Sequence, residues 1–455
     1  MNNYALEQNH IKLISVNKRT TIFFNTFSLQ IYPLEDKVLI NFLKEFKQWG
    51  YIKTKEKYSE ESFNEIYDFI LNKIENAPKT VKYNLQNTDV NNFASVILPI
   101  AANCNLKCSY CFAQTDNNFR FKNYDKQDVE KIINFVMNSF ENKEQPVNFV
   151  FFGGEPFLNI EVIKHSIQYV KCNFSNRKIG YSVTTNATII NNEIINIIKE
   201  NNIAVLLSVD GPDDEYNVRL FKNGKKSINK VLENIVILKK NNIFPEIRAT
   251  FTSNNPHLIK TVDFFEQMQL KFNIAFAYVS ENKLHNLANY NDKNLIHIEN
   301  ELNELLIYYE KKICNKEVIF NKWIENINKF RFRVKQHLVC SAGLSFYTIT
   351  ADGTIFSCAH FMNDKKFAIG NILEGVIDKT DFIPIDIDNI TDCSNCWVKY
   401  LCSGGCVSQK ISAGLSNKSA NSKNECKLEK LRWKFLLKLY YKILIINPKY
   451  FENES

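Results

Sequence analysis

The sequence lacks the segments that carry a chain into or across a membrane. No run of about 18 uncharged apolar residues occurs in it, so we predict no transmembrane helix. Its first residues do not combine a basic region with an apolar core, so we predict no signal peptide and a cytoplasmic location. A strong charge bias is also missing. With 57 basic and 49 acidic residues, the net charge of +8 favours a lysine-rich solvated surface over a nucleic-acid partner.

The composition is that of a globular chain in which the cysteines are unevenly placed. Hydrophobic residues make up 45% and charged residues 23% of the sequence. Its length of 455 residues is enough for two or three domains. Without an export signal, the twelve cysteines favour metal ligation over disulfides. Cys172 and Cys314 stand apart in helix-like segments, and we predict that both are buried thiols. The other ten form two groups, at 104, 108 and 111 and at 340, 358, 393, 396, 402, 406 and 426.

Residue periodicity divides the chain into several predicted parts. They are a winged-helix-like module at 1–80, a polar linker at 81–93, a strand–helix repeat at 94–281, a helical connection at 282–336, a cysteine-rich part at 337–430 and a C-terminal helix at 431–455. The first helix of the module is expected to stop at Gly50. On the C-terminal helix, Lys430, Lys434, Lys438 and Lys442 form one stripe. We interpret it as a solvated face over a packed apolar face, with membrane-surface attachment as the alternative.

Six strand patterns alternate with helical patterns in the repeat. They are SVILPIAA (95–102), VNFVFFGG (147–154), IGYSVTTN (179–186), IAVLLSVDG (203–211), EIRATFT (246–252) and FNIAFAYVS (272–280). Six β/α units predict an α/β fold, with a parallel sheet curved into a partial (β/α)6 TIM-like barrel.

Polar motifs stand at or just past the ends of the first four strands. They are the cysteine triplet CNLKCSYCF, the turn Gly153-Gly154-Glu155-Pro156, Thr184-Thr185-Asn186, and Ser208-Val209-Asp210-Gly211-Pro212. Each motif alone is compatible with ordinary turn chemistry. Their succession predicts one shared site, because the loops that follow parallel strands converge on the same rim of the barrel.

The Cys-x3-Cys-x2-Cys triplet, with Tyr110 before its last cysteine and GGEP one strand later, resembles the signature of the radical S-adenosylmethionine (SAM) superfamily. The resemblance implies a [4Fe-4S] cluster on Cys104, Cys108 and Cys111, with SAM on the fourth iron. It also implies reductive cleavage of SAM to a 5′-deoxyadenosyl radical, with electrons from an external donor such as flavodoxin or ferredoxin.

The same resemblance implies which residues contact SAM. Glu155 and the backbone of Gly153 and Gly154 are expected to hold the methionine amine, and Arg219 suits the methionine carboxylate. The full predicted set is Tyr110, Gly153, Gly154, Glu155, Thr185, Asn186, Ser208 and Arg219. Relatives often carry His-Asp ahead of this arginine, whereas Tyr216-Asn217 stands here, one residue closer.

The spacing of the second cysteine group resembles the SPASM domain, which houses auxiliary [4Fe-4S] clusters in radical SAM enzymes that modify peptides and proteins. Two zinc ribbons are the alternative, but this second group contains only one Cys-x2-Cys pair, Cys393 and Cys396. By resemblance, one auxiliary cluster has the ligands Cys340, Cys358 and Cys406. The other has Cys393, Cys396, Cys402 and Cys426, which makes three clusters in total. No cysteine lies between 341 and 347 to complete the first set, so one iron is expected to be open to a substrate thiolate.

The expected substrate follows from two further resemblances. Anaerobic sulfatase-maturing enzymes share this plan, but they carry an Asp base directly after the cysteine that matches Cys358, where Ala359 and His360 stand here. The N-terminal module resembles precursor-recognition domains, which bind a leader peptide by strand addition. We therefore predict a peptide maturase that installs Cys thioether crosslinks of the sactipeptide or ranthipeptide type, and no catalytic acid or base is assigned. The alternatives are carbon–carbon or ether crosslinking, epimerisation, decarboxylation, sulfatase formylglycine maturation, or a non-catalytic iron–sulfur or zinc protein.

Overall fold

The computed structural model describes residues 10–75, 81–83, 95–113, 121–139, 144–213, 217–253, 257–277, 290–376 and 380–453. Most of the predicted linker, together with Tyr216, lies outside these ranges. Among the helices in the described ranges, none is both long and apolar enough to cross a membrane.

The chain begins with a three-stranded antiparallel sheet followed by two helices. These elements are β1 (Ile11–Ser15), β2 (Thr21–Asn25), β3 (Gln30–Leu34), α1 (Lys37–Lys57) and α2 (Glu60–Glu75). Alternation on β2 buries both faces of the sheet: Phe23 packs with α1 and α2, whereas Ile22 and Phe24 pack into the main core. The first helical segment of α1 ends at Gly50, as the sequence predicts, because this residue takes a non-helical φ of +76°. A second helical segment continues beyond the kink to Lys57.

The strand–helix repeat forms most of one large sheet. Strand β4 (Val81–Tyr83) precedes the repeat and pairs with a later strand outside the large sheet. In chain order the elements of the repeat are β5 (Ser95–Ala101), β6 (Leu106–Cys108), α3 (Lys126–Asn138), β7 (Val147–Gly153), α4 (Ile160–Asn173), β8 (Ile179–Thr185), α5 (Asn192–Glu200), β9 (Ala204–Ser208), β10 (Arg219–Phe221), α6 (Ile228–Lys240), β11 (Glu246–Phe251), α7 (Leu258–Met268) and β12 (Phe272–Phe276). Strands β5, β7, β8, β9, β11 and β12 are parallel neighbours in that order. They confirm the predicted α/β fold and its partial barrel.

The pleat of β7 explains how the sheet separates its core from its site. Phe149 and Phe151 are fully buried in the core that includes α3 and α4. Val150 and Phe152 point to the opposite face, which is the inside of the barrel. Each parallel strand therefore offers alternate residues to the helices and to the interior.

The cysteine-rich part extends the barrel sheet. Its elements, with the helices that precede it, are α8 (Asp292–Cys314), α9 (Lys322–Glu325), α10 (Asn328–Arg331), β13 (Val334–Gln336), β14 (Phe346–Ile349), β15 (Thr354–Phe356), β16 (Gly370–Asn371), β17 (Gly375–Val376), α11 (Lys399–Cys402), α12 (Val407–Ser412) and α13 (Lys423–Ile446). Strand β14 pairs in parallel with β5, with Tyr347 opposite Val96. This pairing brings the second cysteine group beside the first strand of the barrel.

Helix α13 packs along α8. Its apolar face is buried around Trp433, while the predicted lysine stripe meets acidic residues of α8. Lys434 Nζ lies 2.8 Å from a Glu299 carboxylate oxygen, and Lys442 Nζ lies 2.9 Å from one of Glu310. These lysines are thus ion-paired at a helix interface and are not simply a solvated face.

Candidate active site

A cavity of about 430 Å³ lies inside the barrel where the parallel strands end. All three cysteines of the first group line it. So do these residues of the predicted SAM set: Tyr110, Gly153, Gly154, Thr185, Asn186, Ser208 and Arg219. The rim motifs therefore meet at one place, as the strand pattern predicts, although Glu155 does not line the cavity.

The cysteine loop is held in place by a short strand pair. Strand β6 pairs antiparallel with β10, and the register sets Arg219 opposite Cys108. Two donors point at the first cysteine: the Leu106 N–H lies 3.4 Å and the Asn186 amide nitrogen 3.7 Å from Cys104 Sγ. The pairing of β6 with β10 is what carries Arg219 from a later segment of the chain to the cysteines.

Gly153 and Glu155 form the turn that closes β7. A Cβ at Gly153 would lie 2.4 Å from the carbonyl oxygen of Ala101, so only glycine fits against β5. The Glu155 carboxylate is fully buried behind the turn and accepts hydrogen bonds from the Thr185 hydroxyl (2.7 Å) and from the backbone N–H groups of Asn186 (2.8 Å) and Phe157 (3.2 Å). Burial raises the pKa of Glu155 to about 7, although these donors act to lower it. The Glu155 side chain therefore links the end of β7 to the end of β8. Its expected contact with SAM does not explain this position.

Asp210 is a site residue that the sequence analysis did not select. Its carboxylate, 3% exposed, accepts hydrogen bonds from Tyr110 Oη (2.5 Å), Arg219 Nε (3.0 Å) and the Thr250 N–H (3.0 Å). Burial raises the pKa of Tyr110 well above its ordinary value, so the phenol stays protonated and donates. The Arg219 guanidinium also lies over the Tyr110 ring, 5.2 Å from its centroid. Asp210 therefore orients both Tyr110 and Arg219 at the cavity wall.

The opposite wall comes from β11 and from the second cysteine group. It contains Arg248, Cys358 and His360. The His360 ring lies 3.8 Å from the Phe112 ring, centroid to centroid, and burial lowers the pKa of His360 to about 3. Among the described residues, no carboxylate lies within ion-pair distance of the Arg248 guanidinium. This wall therefore presents a neutral imidazole and an unpaired positive charge.

The seven cysteines of the second group fall into two sets. Four of them, Cys393, Cys396, Cys402 and Cys426, line a second, smaller cavity together with Lys399 and Glu429. The other set is Cys340, Cys358 and Cys406. Cys340 and Cys406 lie close enough to Cys358 for their thiolate charges to raise its pKa. Cys358 alone of the seven lines the large cavity. The predicted buried state of Cys172 and Cys314 is wrong, since both are exposed.

Comparison with known proteins gives the family. A family model described as the radical SAM superfamily matches residues 98–267. An uncharacterised protein of Methanocaldococcus jannaschii is 32% identical, over 61% of this chain and 91% of its own. The chain belongs to the radical SAM superfamily.

Other relatives of this radical SAM protein have named activities. The cysteine-type anaerobic sulfatase-maturating enzyme of Clostridium novyi is 28% identical over 69% of this chain and 88% of its own. The radical SAM cyclopropyl synthase TigE of Paramaledivibacter caminithermalis is 25% identical, over 92% of this chain and 86% of its own. The solved structure of anSMEcpe with bound AdoMet covers 78% of this chain and 99% of its own (TM-score 0.64, 22% identity). Streptococcus suis SuiB, bound to its precursor peptide SuiA, covers 91% and 98% (TM-score 0.51, 16% identity). Both structures share the fold.

The residues present fit the [4Fe-4S] cluster and the SAM that the superfamily implies. Three sulfurs bound to one zinc ion lie about 3.8 Å apart, as follows from a tetrahedral Zn–S length of about 2.3 Å. No three cysteine sulfurs of the described chain lie within 4.8 Å of one another. That spacing favours a cluster, which spreads its thiolates over several irons. Burial raises the pKa of Cys104 to about 11 and of Cys108 to about 12, so ligation has to displace their protons. Cys111 completes the triplet, and Arg219 faces the remaining space.

Proposed function

We propose that this radical SAM protein is a peptide maturase that installs Cys thioether crosslinks in a ribosomally synthesised precursor peptide. The observation that carries the proposal is the position of Cys358. This cysteine belongs to the three-cysteine set, yet it lines the same cavity as Cys104, Cys108 and Cys111. A peptide segment in the cavity would contact both groups at once.

The residues on the side of the cavity that contains Cys104, Cys108, Cys111 and Arg219 would bind and orient SAM. When bound, the cluster and SAM supply a 5′-deoxyadenosyl radical. Arg219, held by Asp210, would grip the methionine carboxylate, and the backbone at Gly153 and Gly154 would receive the amine. Apolar side chains inside the barrel, such as Phe112 and Phe152, would exclude water from the space between the two walls.

The residues of the opposite wall would hold the sulfur that is joined to the peptide. Cys340, Cys358 and Cys406 supply three thiolates, and residues 341–347 add none. A cluster held by three thiolates accepts a fourth ligand from the substrate. The reaction replaces one C–H and one S–H bond by a C–S bond, so the peptide loses two hydrogens and two electrons. One hydrogen leaves in 5′-deoxyadenosine, and the remaining proton and electron pass to a base and to an external redox partner such as flavodoxin or ferredoxin.

A peptide substrate is supported by the relatives that match the N-terminal part of the chain. TigE and SuiB cover 92% and 91% of this chain, so their matches include residues within the first 80. The C. novyi sulfatase maturase covers only 69%. Strand β1 lies at the edge of its sheet, next to a groove of about 300 Å³ lined by Trp397, Lys430 and Lys434. We propose that a leader segment adds to this module as a further strand.

Sulfatase formylglycine maturation is the second candidate, because sulfatase maturases are among the relatives. Their expected Asp base has no counterpart here, since Ala359 follows Cys358. His360 lines the cavity, but burial lowers its pKa to about 3, which makes this imidazole a weak base. The other radical SAM modifications named above differ in what happens to the substrate radical, and their products distinguish them.

The test is anaerobic coexpression with each small peptide that is encoded beside this gene, followed by mass spectrometry; neighbouring peptides that all lack cysteine would exclude the thioether reaction. A thioether crosslink is expected to remove two hydrogens per bond and to protect one cysteine from alkylation. An unchanged mass with 5′-deoxyadenosine release would point to epimerisation and overturn the crosslinking proposal. Absence of 5′-deoxyadenosine from the reconstituted enzyme with dithionite and SAM would overturn the enzyme assignment itself.

A further inference from the structure

A cluster of metal-ligating side chains lies outside the cavity and apart from every cysteine. One nitrogen each of His257 and His297 and one carboxylate oxygen of Glu301 lie within 4.8 Å of one another. None of the three lines the large cavity or the four-cysteine cavity. The proposed chemistry of the barrel therefore makes no use of them.

Two elements bring these side chains together. His257 precedes the first residue of α7, and His297 and Glu301 are one turn apart on α8. One oxygen of Glu301 accepts a hydrogen bond from the Ile259 N–H at the start of α7 (3.1 Å), and the other lies 4.0 Å from His297 Nε2. The two imidazole rings meet edge to face, with centroids 5.8 Å apart. The glutamate thus anchors the two helices and still turns an oxygen toward the histidines.

Within the described ranges, no basic side chain of lysine or arginine neutralises the Glu301 carboxylate. Glu301 is 8% exposed, and no Lys or Arg of the described residues forms an ion pair with it. A second cluster, His337 with Asp386 and Asp388, differs in this respect. There Lys399 Nζ lies 2.6 Å from an Asp388 oxygen. A cation is therefore favoured at the first cluster and opposed at the second.

We propose that His257, His297 and Glu301 bind a divalent transition-metal ion, with Zn²⁺ the best fit. Two imidazoles and a carboxylate are ligands that zinc prefers, and three protein ligands leave a position for water. Zinc-bound nitrogen and oxygen atoms lie about 3.4 Å apart, as follows from bond lengths of about 2.0–2.1 Å. Rotation of two side chains on one helix face closes the observed gap of 4.0 Å. The ion would connect the start of α7 to α8. Helix α7 follows β11.

The test uses the full chain with its iron–sulfur clusters reconstituted, dialysed against Zn²⁺ under anaerobic conditions. We expect one zinc per chain beyond the iron sites, with an X-ray absorption shell of nitrogen and oxygen at about 2.0–2.1 Å and no sulfur at about 2.3 Å. His257→Ala and His297→Ala should each weaken zinc binding by at least about 100-fold, since loss of an outer-shell partner alone costs 10–100-fold.

His165→Ala is the matched control. It removes a histidine whose Nε2 lies 2.6 Å from a Glu130 oxygen, and the described residues offer no third metal ligand beside this pair, so zinc binding should not change. Iron content measured on every sample shows whether the clusters are intact. The proposal would be overturned by any of three results. These are zinc bound only through sulfur, His257 and His297 variants that bind zinc as tightly as the wild type, and no zinc binding by the wild type.

Discussion

The two cavities lined by cysteines differ in what surrounds their thiols. Cys104, Cys108 and Cys111 adjoin about 430 Å³ of space, next to Arg219 and the turn at Gly153. The four-cysteine cavity is much smaller, and Lys399, Glu429 and Lys430 fill its walls. A set of three thiols beside a large space leaves room for a reactant, whereas four thiols around a small space are complete as ligands. We infer that the first group reacts and that the four cysteines of the small cavity transfer electrons or stabilise the fold.

The third set, Cys340, Cys358 and Cys406, is intermediate. It has three thiols like the first group, and it opens into that group's cavity through Cys358 only. Asn363 donates a hydrogen bond to the Phe112 carbonyl oxygen (2.7 Å), which ties this wall to the cysteine loop. The comparison therefore predicts different consequences for cysteine substitution in the first group and in the four-cysteine cavity.

The largest expected effect is that of Cys108→Ala. Loss of one thiolate of the first group should remove about four irons per chain. Release of 5′-deoxyadenosine should fall to the detection limit, because no cluster remains to reduce SAM. Iron analysis and chromatography of the nucleoside measure both. Cys172→Ala, at an exposed position outside both groups, should change neither. SAM cleavage that survives in Cys108→Ala would contradict the assignment of the first group.

Cys402→Ala should separate the two kinds of cavity. We expect the loss of about four irons, with SAM cleavage retained and crosslinked peptide lost. SAM cleavage should persist because the cavity of the first group contains none of the four cysteines. The ratio of crosslinked peptide to 5′-deoxyadenosine is the measurement. Equal loss of both products would mean that the two cavities are not independent.

Arg248→Gln tests the charge on the opposite wall, with a smaller expected effect. Arg248 has no ion-pair partner among the described residues, whereas Arg219 is held by Asp210. An unpaired guanidinium in a cavity favours an anionic group of the substrate, so its loss should raise the KM for the peptide by about tenfold, or about 1.4 kcal/mol. The Kd for SAM should stay unchanged. A weaker SAM affinity with unaltered peptide KM would place Arg248 in the SAM site instead.

Much of this arrangement was predictable from the sequence, for physical reasons that particular residues illustrate. The six parallel strands are short segments rich in apolar and β-branched residues that alternate with helical patterns, and polar motifs stand at or just past the ends of the first four, so both the sheet and its rim could be predicted. The pairing of Arg219 with Cys108 could not, because β6 and β10 are three residues long and far apart in the chain. Asp210 was recognised as part of a rim motif, but its role was not predicted because its three donors come from different segments. Glu155 is the reverse case: the motif was recognised, but the sequence does not reveal that its buried carboxylate bonds to Thr185 and Asn186, and its contact with SAM stays a prediction.

Glu155→Gln distinguishes a buried clamp from a SAM ligand. The amide keeps one acceptor but presents N–H groups to donors, so the free energy of unfolding of the apo-protein should fall by about 1–3 kcal/mol, whereas the Kd for SAM should change little. The exposed control Glu161→Gln should stay within about 0.5 kcal/mol. Because folding raises the pKa of Glu155 from 4.5 to about 7, the free energy of unfolding of the wild type should fall as the pH rises between these values. The neutral glutamine escapes this loss, so the deficit of the variant should shrink over that pH range in denaturant titrations.

The smallest expected effect is that of Tyr110→Phe. The variant removes one of three hydrogen bonds to Asp210 and leaves those from Arg219 and Thr250. Such a bond contributes about 0.5–1.5 kcal/mol, so the Kd for SAM should rise by at most about tenfold in equilibrium dialysis of the reconstituted enzyme. Tyr169→Phe, which breaks a tyrosine–Asn134 contact outside the cavity, is the control. A Kd unchanged by Tyr110→Phe would mean that Asp210 alone positions Arg219. The reactive character of the first group would then rest on the space beside its thiols and on Arg219, without a contribution from the aromatic residue inside the cysteine triplet.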